Sequence, residues 1–292
     1  MEPPKPMEPR IQAFFDEATF TVTYLVSDPE TGAAAIIDPV LDFDPKSGRT
    51  STKSVLKVVA AAESERLTVN WVLETHAHAD HLSAAAYLKE KTGVGVAIGE
   101  NIAAVQKVFR PIFHAADVTG DGRPFDKLLK DGEHFAVGAL DVEVLHTPGH
   151  TPACVSYRIG DNVFVGDTLF MPDYGTARAD FPGGDARTLY RSIQRLLALP
   201  PQTTLWMCHD YKAPGRDAFA WKTTVAEERA RNIHVHEGVR EDAFVAMRTA
   251  RDKTLSMPVL ILPSVQVNIR AGEMPPAEDN GVTYLKIPVN RM

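Results

Sequence analysis

The chain has 292 residues, 31 basic against 38 acidic, a formal net charge of −7 and 44% hydrophobic residues. That length buries a sizeable core in one large α/β domain or two smaller ones, and the charge disfavours duplex nucleic acid or an anionic membrane surface as a partner. No apolar run approaches the ~20 residues of a membrane span, the Pro-rich start MEPPKPMEPR lacks the apolar stretch of a secretory signal, and two cysteines, Cys154 and Cys208, make no disulfide framework, which reads as a reducing, cytoplasmic setting.

Residues 1–10 read as a mobile arm, 11–252 as the main domain and 253–292 as a Pro-rich extension packed on it. FTVTYLV (20–26) and AAAIID (33–38) flank Pro29-Glu30-Thr31-Gly32 and form a hairpin pattern. Residues 51–66 open with Ser51 and Thr52, good N-cap types, and carry apolar residues at 55, 56, 59 and 62, the spacing of a helix. VNWVLET (69–75) is strand-like and runs into a His-rich turn. Residues 83–91 and 101–109 read as helices around the short strand VGVAI (94–98). Strands follow at LDVEVLHT (140–147), ACVSYRI (153–159) and NVFVGD (162–167). A helix over 185–198 buries Leu189, Ile193, Leu196 and Leu197. The strand TTLWMC (203–208) ends at a histidine, and 223–232 and 238–251 read as helices. The extension holds VLIL and VTYLKI, which call for burial. Two hairpin-rich halves, each followed by helices, imply two sheets covered by helices.

The chemistry-bearing residues fall where strands end, the usual place for a site on a rigid scaffold. Thr75-His76-Ala77-His78-Ala79-Asp80-His81 packs four donors into six residues. Imidazole and carboxylate suit zinc, iron and manganese. Alternate residues of a turn can be splayed toward two neighbouring metal positions, and the small alanines let the backbone come close. His150, in Thr147-Pro148-Gly149-His150-Thr151, Asp167, in Gly166-Asp167-Thr168, and His209, after Cys208, each have a bland reading alone. Four strand ends presenting His or Asp together point to one metal centre. Cys154 and Cys208 read as buried core thiols. Gly183-Gly184 is no phosphate loop, since no Lys-Ser/Thr follows.

HAHADH (76–81), TPGHT (147–151), GDTLF (166–170) and CHDYK (208–212) resemble the ordered motifs of the metallo-β-lactamase superfamily over about residues 12–236. The resemblance implies an α/β fold, an αββα sandwich of two mixed β-sheets flanked by helices, with metal between the loop ends. Within the superfamily, the run from Gly166 to Gly184, His209-Asp-Tyr-Lys212 and the tail Leu262–Gly272 are similar to bacterial persulfide dioxygenases, including proteins called β-lactamase hydrolase-like. Some of those relatives have Cys where this chain has Ala179, so no role of that thiol carries over.

That narrower resemblance implies one Fe(2+) per chain on His76, His150 and Asp167, a facial triad with three positions left open. His78, Asp80, His81 and His209 fill the superfamily's remaining ligand positions and would lie near the iron as supporting or alternative ligands. The implied reaction oxidises glutathione persulfide with O2 and water to sulfite and glutathione. Tyr211, His209 and Asp80 are the implied catalytic helpers. Arg178, Tyr211, Lys212, Asn268 and Arg270 are the candidate contacts to glutathione. The alternative is a Zn(2+) hydrolase such as a hydroxyacylglutathione thioesterase, because all seven ligand positions are filled. A non-enzymatic metal or persulfide sensor is a third reading, and a nuclease is disfavoured by the acidic charge. A symmetric dimer or tetramer is compatible with the sequence, which fixes no number.

Overall fold

A computed structural model describes residues 8–291. In chain order its elements are β1 (Arg10–Asp16), β2 (Thr21–Ser27), β3 (Ala33–Ile37), β4 (Val40–Asp44), β5 (Arg49–Ser51), α1 (Lys53–Ser64), β6 (Thr68–Leu73), β7 (Leu82–Ser83), α2 (Ala85–Thr92), β8 (Gly95–Gly99) and α3 (Ile102–Phe113). They continue with β9 (Lys127–Leu129), β10 (His134–Val137), β11 (Leu140–His146), β12 (Val155–Ile159), β13 (Asn162–Phe164), α4 (Ala186–Leu197), β14 (Thr204–Trp206), β15 (Lys222–Thr224), α5 (Val225–Arg231), α6 (Glu241–Asp252) and α7 (Ile261–Asn268).

One six-stranded sheet has the order β1-β2-β3-β6-β8-β9 and the other β10-β11-β12-β13-β14-β15. Both are mixed: β3, β6, β8 and β9 run parallel, as do β13 and β14, and the remaining pairs are antiparallel. A small third sheet, β5-β4-β7, was not foreseen. Every residue of β2 is buried, because both faces of its sheet are covered. The period-2 alternation then sorts them. Val22, Tyr24 and Val26 face Val142, Val144, Tyr157 and Phe164 of the second sheet, whereas Leu25 faces the outer layer with Val55, Leu88 and Phe109. A third cluster packs α4 and α6 on the outside of the second sheet through Leu189, Ile193 and Phe244. The layers are therefore helix, sheet, sheet, helix.

Several local expectations need correction. Arg10, expected in the arm over 1–10, instead opens β1 and pairs with Ser27; residues 1–7 lie outside the described residues. Thr52 stands at the α1 N-cap without a side-chain capping bond, and Asp42 instead accepts from the Ser54 amide at 2.9 Å. Leu56, counted on the buried face of that helix, is exposed while Val58 takes its place. The extension contains a helix, α7, which reaches β7 and α3. VTYLKI is largely exposed at Val282, Tyr284 and Ile287 rather than buried. Among the described residues no helix is long and apolar enough to cross a membrane.

Candidate metal centre

Both sheets contribute to one rim. β6 ends at Leu73 and releases Glu74–His81, while Asp38, Asp167 and His209 follow β3, β13 and β14. Two bonds tie the sheets together there: the Val155 amide donates to the Thr75 carbonyl (2.9 Å) and the Val22 amide to the Cys208 carbonyl (2.8 Å). Gly149 has φ +140°, and an added Cβ would stand 2.3 Å from Leu189 Cα, so only glycine lets α4 approach the loop that carries His150.

His76, His150 and Asp167 form one group whose candidate ligand atoms lie within 4.8 Å of one another; His78, Asp80, His81 and His209 form a second. Asp167 joins them. Its Oδ2 is 4.0 Å from His76 Nε2 and 3.8 Å from His150 Nε2, and its Oδ1 is 3.3 Å from His209 Nε2. All seven residues predicted at the centre are therefore brought together. His76 Nε2, His78 Nδ1, His81 Nε2, His209 Nε2 and Asp167 Oδ1 are buried with no hydrogen-bond partner among the described residues. One such atom costs roughly 1–3 kcal/mol, and a convergent set is stable only if a shared ligand takes up the lone pairs. The donor set fits a metal ion with nitrogen and oxygen ligands.

Each imidazole is oriented by what holds its other nitrogen. His150 Nδ1 donates to the Arg178 carbonyl (2.9 Å), which leaves Nε2 for the centre. His76 Nδ1 lies 3.0 Å from Thr75 Oγ1. His81 Nδ1 and His209 Nδ1 each lie 3.3 Å from Thr21 Oγ1. His78 is reversed: its Nε2 is 3.0 Å from Asp38 Oδ1 and 3.3 Å from Glu74 Oε2, so Nδ1 faces the other histidines. Burial opposes charge on His78, but Asp38 and Glu74 outweigh it and raise its pKa, so a metal taken up at Nδ1 would displace a proton. Burial and then the His78 charge push the His76 pKa down, which keeps that ring neutral and able to ligate. Burial opposes the Asp80 carboxylate, yet His209 and His81 hold its pKa low.

Asp38, Glu74 and Thr21 were missed from sequence. The signal available for the first two was a carboxylate at the end of an apolar strand, in AAIID and WVLE. Cys208 is buried as expected, but its Sγ is 3.5 Å from Asp38 Oδ2 and joins Asp167 and His209 in a further group of potential donors.

A cavity of about 560 Å³ opens on this rim, lined by Phe20, Ala79, Asp80, His150, Asp167, Phe170, Tyr174, Arg178, Tyr211, Arg248 and Arg251 among others. Tyr211 lines it and lies against His209, ring centroids 5.6 Å apart and nearly parallel. Burial, then Asp80 and Asp167, lift the Tyr211 pKa well above the ordinary phenol range, so the hydroxyl stays protonated. Arg178 is on the wall, but its guanidinium is engaged by Asp180 (2.6 and 2.8 Å) and the Ser256 carbonyl (2.7 Å).

The remaining substrate candidates lie elsewhere. Lys212 is absent from the cavity lining, and its Nζ sits 5.2 Å over the Phe219 ring. Asn268 is buried with both ends in use: it accepts from the Ser83 amide and donates to the His78 and His81 carbonyls, each at 2.8 Å. Arg270 is buried and paired with Asp117 (2.6 and 2.8 Å). The tail thus braces the metal-bearing turn instead of lining the cavity, because its polar groups find partners inside the protein.

Residues 17–209 match the model of the metallo-beta-lactamase superfamily. The chain belongs to that superfamily, and among the described residues two mixed sheets, seven helices and clustered His and Asp residues define a metalloenzyme of that fold. It is 56% identical over 96% of its length, and 99% of the other's, to a protein of Burkholderia pseudomallei (strain 1710b) named "Probable metallo-hydrolase". It spans 65% of the length of a "Beta-lactamase hydrolase-like protein" of Xylella fastidiosa at 50% identity, with 97% of this chain matched. It is 28% identical to the human mitochondrial "Persulfide dioxygenase ETHE1" over 91% of this chain and 90% of the other. Among solved structures, ETHE1 from Myxococcus xanthus superposes with a TM-score of 0.73 at 31% identity, covering 90% of this chain and 100% of that one.

Proposed function

We propose that the chain is an Fe(II) persulfide dioxygenase acting on glutathione persulfide or a similar small persulfide. The observation that carries the reading is the His76, His150 and Asp167 group: two histidines and one carboxylate, with His150 and Asp167 on the cavity wall. That is the donor set of non-heme Fe(II) oxygenases. The likeness to proteins named ETHE1 over nine tenths of the chain supports it.

His76, His150 and Asp167 would hold the Fe(II), which would supply the electrons for O2 that zinc cannot. The overall change is persulfide plus O2 plus water to thiol, sulfite and two protons. The two sulfurs together lose four electrons, the outer one being oxidised and the inner one returned to the thiol, and O2 gains four. The chain's own residues bind and orient. The Arg178 carbonyl fixes the His150 tautomer. Phe20, Phe170 and Tyr174 exclude water from the reacting sulfur. Tyr211 keeps a hydroxyl proton beside His209, available to the polar end of the substrate. His209 Nε2, 3.4 Å from Asp80 Oδ2, lies 3.3 Å from Asp167 Oδ1 and supports that carboxylate at the oxygen turned from His150, while Asp80 steadies His209.

A second reading, a zinc hydrolase of glutathione thioesters, is favoured by the four further donors and their unpartnered atoms. The two are separated by loading the protein with iron or with zinc and giving each form glutathione persulfide and a hydroxyacylglutathione. Sulfite from the iron form alone, with little thioester cleavage by either, supports the dioxygenase. Fast thioester cleavage by the zinc form, with no sulfite from the iron form, moves the assignment to the hydrolase.

A further inference from the structure

The superfamily match ends at residue 209, but the cavity does not. Part of its wall comes from α6 and the segment after it: Arg248, Arg251, Leu255, Ser256, Pro258 and Leu260 line the same space as His150 and Asp167. The match therefore covers the side where chemistry occurs, and this later wall is free to set what enters.

Three arginines reach the wall. Arg178 is occupied by Asp180 and Ser256. Arg248 is buried and occupied by Asp252 (2.8 Å at Nε) and the Thr176 carbonyl (3.2 Å). Arg251 lies one turn further along the same face of α6 and is exposed; among the described residues its guanidinium has no hydrogen-bond or carboxylate partner. It also stands close to the aromatic path toward the metal. Burial raises the Tyr174 pKa and the Arg251 charge opposes that rise, while the Tyr174 ring lies 5.2 Å from Tyr211, itself 5.6 Å from His209. The rest of the cavity is largely apolar, and its two acidic members, Asp80 and Asp167, sit at the metal end.

We infer that Arg251 is the specificity-determining residue that grips a carboxylate of the substrate, selecting small thiol compounds that carry an anionic group some distance from the reacting sulfur. This rests on the proposed function and moves the anion contact from Arg178 to Arg251. The guanidinium fork offers a bidentate match to a carboxylate.

The test compares iron-loaded wild type with Arg251→Ala, Arg251→Lys and Arg178→Ala on two substrates: glutathione persulfide and the uncharged persulfide of 2-mercaptoethanol. The readout is the ratio of kcat/KM for the charged over the uncharged substrate. Arg251→Ala lowers that ratio about tenfold or more, mostly through KM, which is the size of one charge-assisted hydrogen bond. Arg251→Lys restores part of it. Arg178→Ala lowers thermal stability, since it unties Asp180 and Ser256, and changes the ratio less than Arg251→Ala does. A ratio unchanged in Arg251→Ala overturns the inference, because an arginine that only completes a helix C-terminus would leave substrate charge unread. Calorimetric titration with glutathione keeps the two proposals apart. If wild type oxidises neither persulfide, the dioxygenase reading fails, while a glutathione Kd weakened about tenfold by Arg251→Ala still supports the anion contact. Equal Kd values, or no binding to wild type, overturn it.

Discussion

Asp167 joins the two halves of the centre: one carboxylate oxygen faces His76 and His150, the other His209. Replacing it removes a charge and a donor from both groups at once. Asp167→Ala is expected to lower bound iron to about a tenth of wild type or less and to abolish oxygen consumption with it, in line with the 10–100-fold losses seen even for supporting residues. Elemental analysis of the purified variant checks this; full iron content would remove Asp167 from the donor set. A second residue-level expectation concerns Glu228, which belongs to neither donor group. It is buried, Asn232 donates to one oxygen at 2.6 Å and the other oxygen has no partner. Burial pushes its pKa from 4.5 to about 8. Between those values the folded chain keeps a proton that the unfolded chain releases, so this group makes stability fall as pH rises through that window, by at most about 1.4 kcal/mol per pH unit. Glu228→Gln is expected to flatten that part of the profile and to be more stable than wild type near pH 8. Urea melts at pH 5 and pH 8 report it; an unchanged slope would contradict it.

Helix α4 shows how much of the fold could be read in the residues. Leu189, Ile193, Leu196 and Leu197 recur at helical spacing and are all buried, and Asp185 caps the helix by accepting from the Thr188 amide at 2.7 Å. Asp185→Ala is expected to cost about 1 kcal/mol in chemical denaturation, with metal content unchanged. Helix α7 was illegible for a physical reason. VLIL between Pro258 and Pro263 has no helical period, and Pro263 fits only because it falls in the first turn, where its missing N–H costs nothing. The role of α7 depends on a partner 185 residues away in sequence: Asn268 clamps Ser83 and the carbonyls of His78 and His81. Asn268→Ala leaves those groups buried and unpaired. It is expected to destabilise the protein by roughly 2–3 kcal/mol and to weaken iron retention against a chelator, while KM for the persulfide stays close to wild type. A selective rise in KM would instead return Asn268 to the substrate contacts expected from the sequence.

Across the whole molecule, the seven donors were visible because each ends a strand of recognisable pattern, and strand ends of two packed sheets meet at one rim. The supporting residues were not visible. Asp38, Glu74 and Thr21 gain their importance from packing between strands far apart in sequence, and no local spacing announces it. The later wall of the cavity was hidden for the same reason: Arg178 sits inside a conspicuous motif yet is internally paired, whereas Arg251 lies on an ordinary helix that the fold turns toward the cavity. The proposal that iron at this rim drives oxygen chemistry on a persulfide is tested by oxygen uptake after adding fresh glutathione persulfide to preparations of graded iron content, with metal measured in the same samples. The expected rate is proportional to iron, with one sulfite formed per O2 consumed. No uptake at full iron occupancy, or a rate that follows zinc instead, would contradict it.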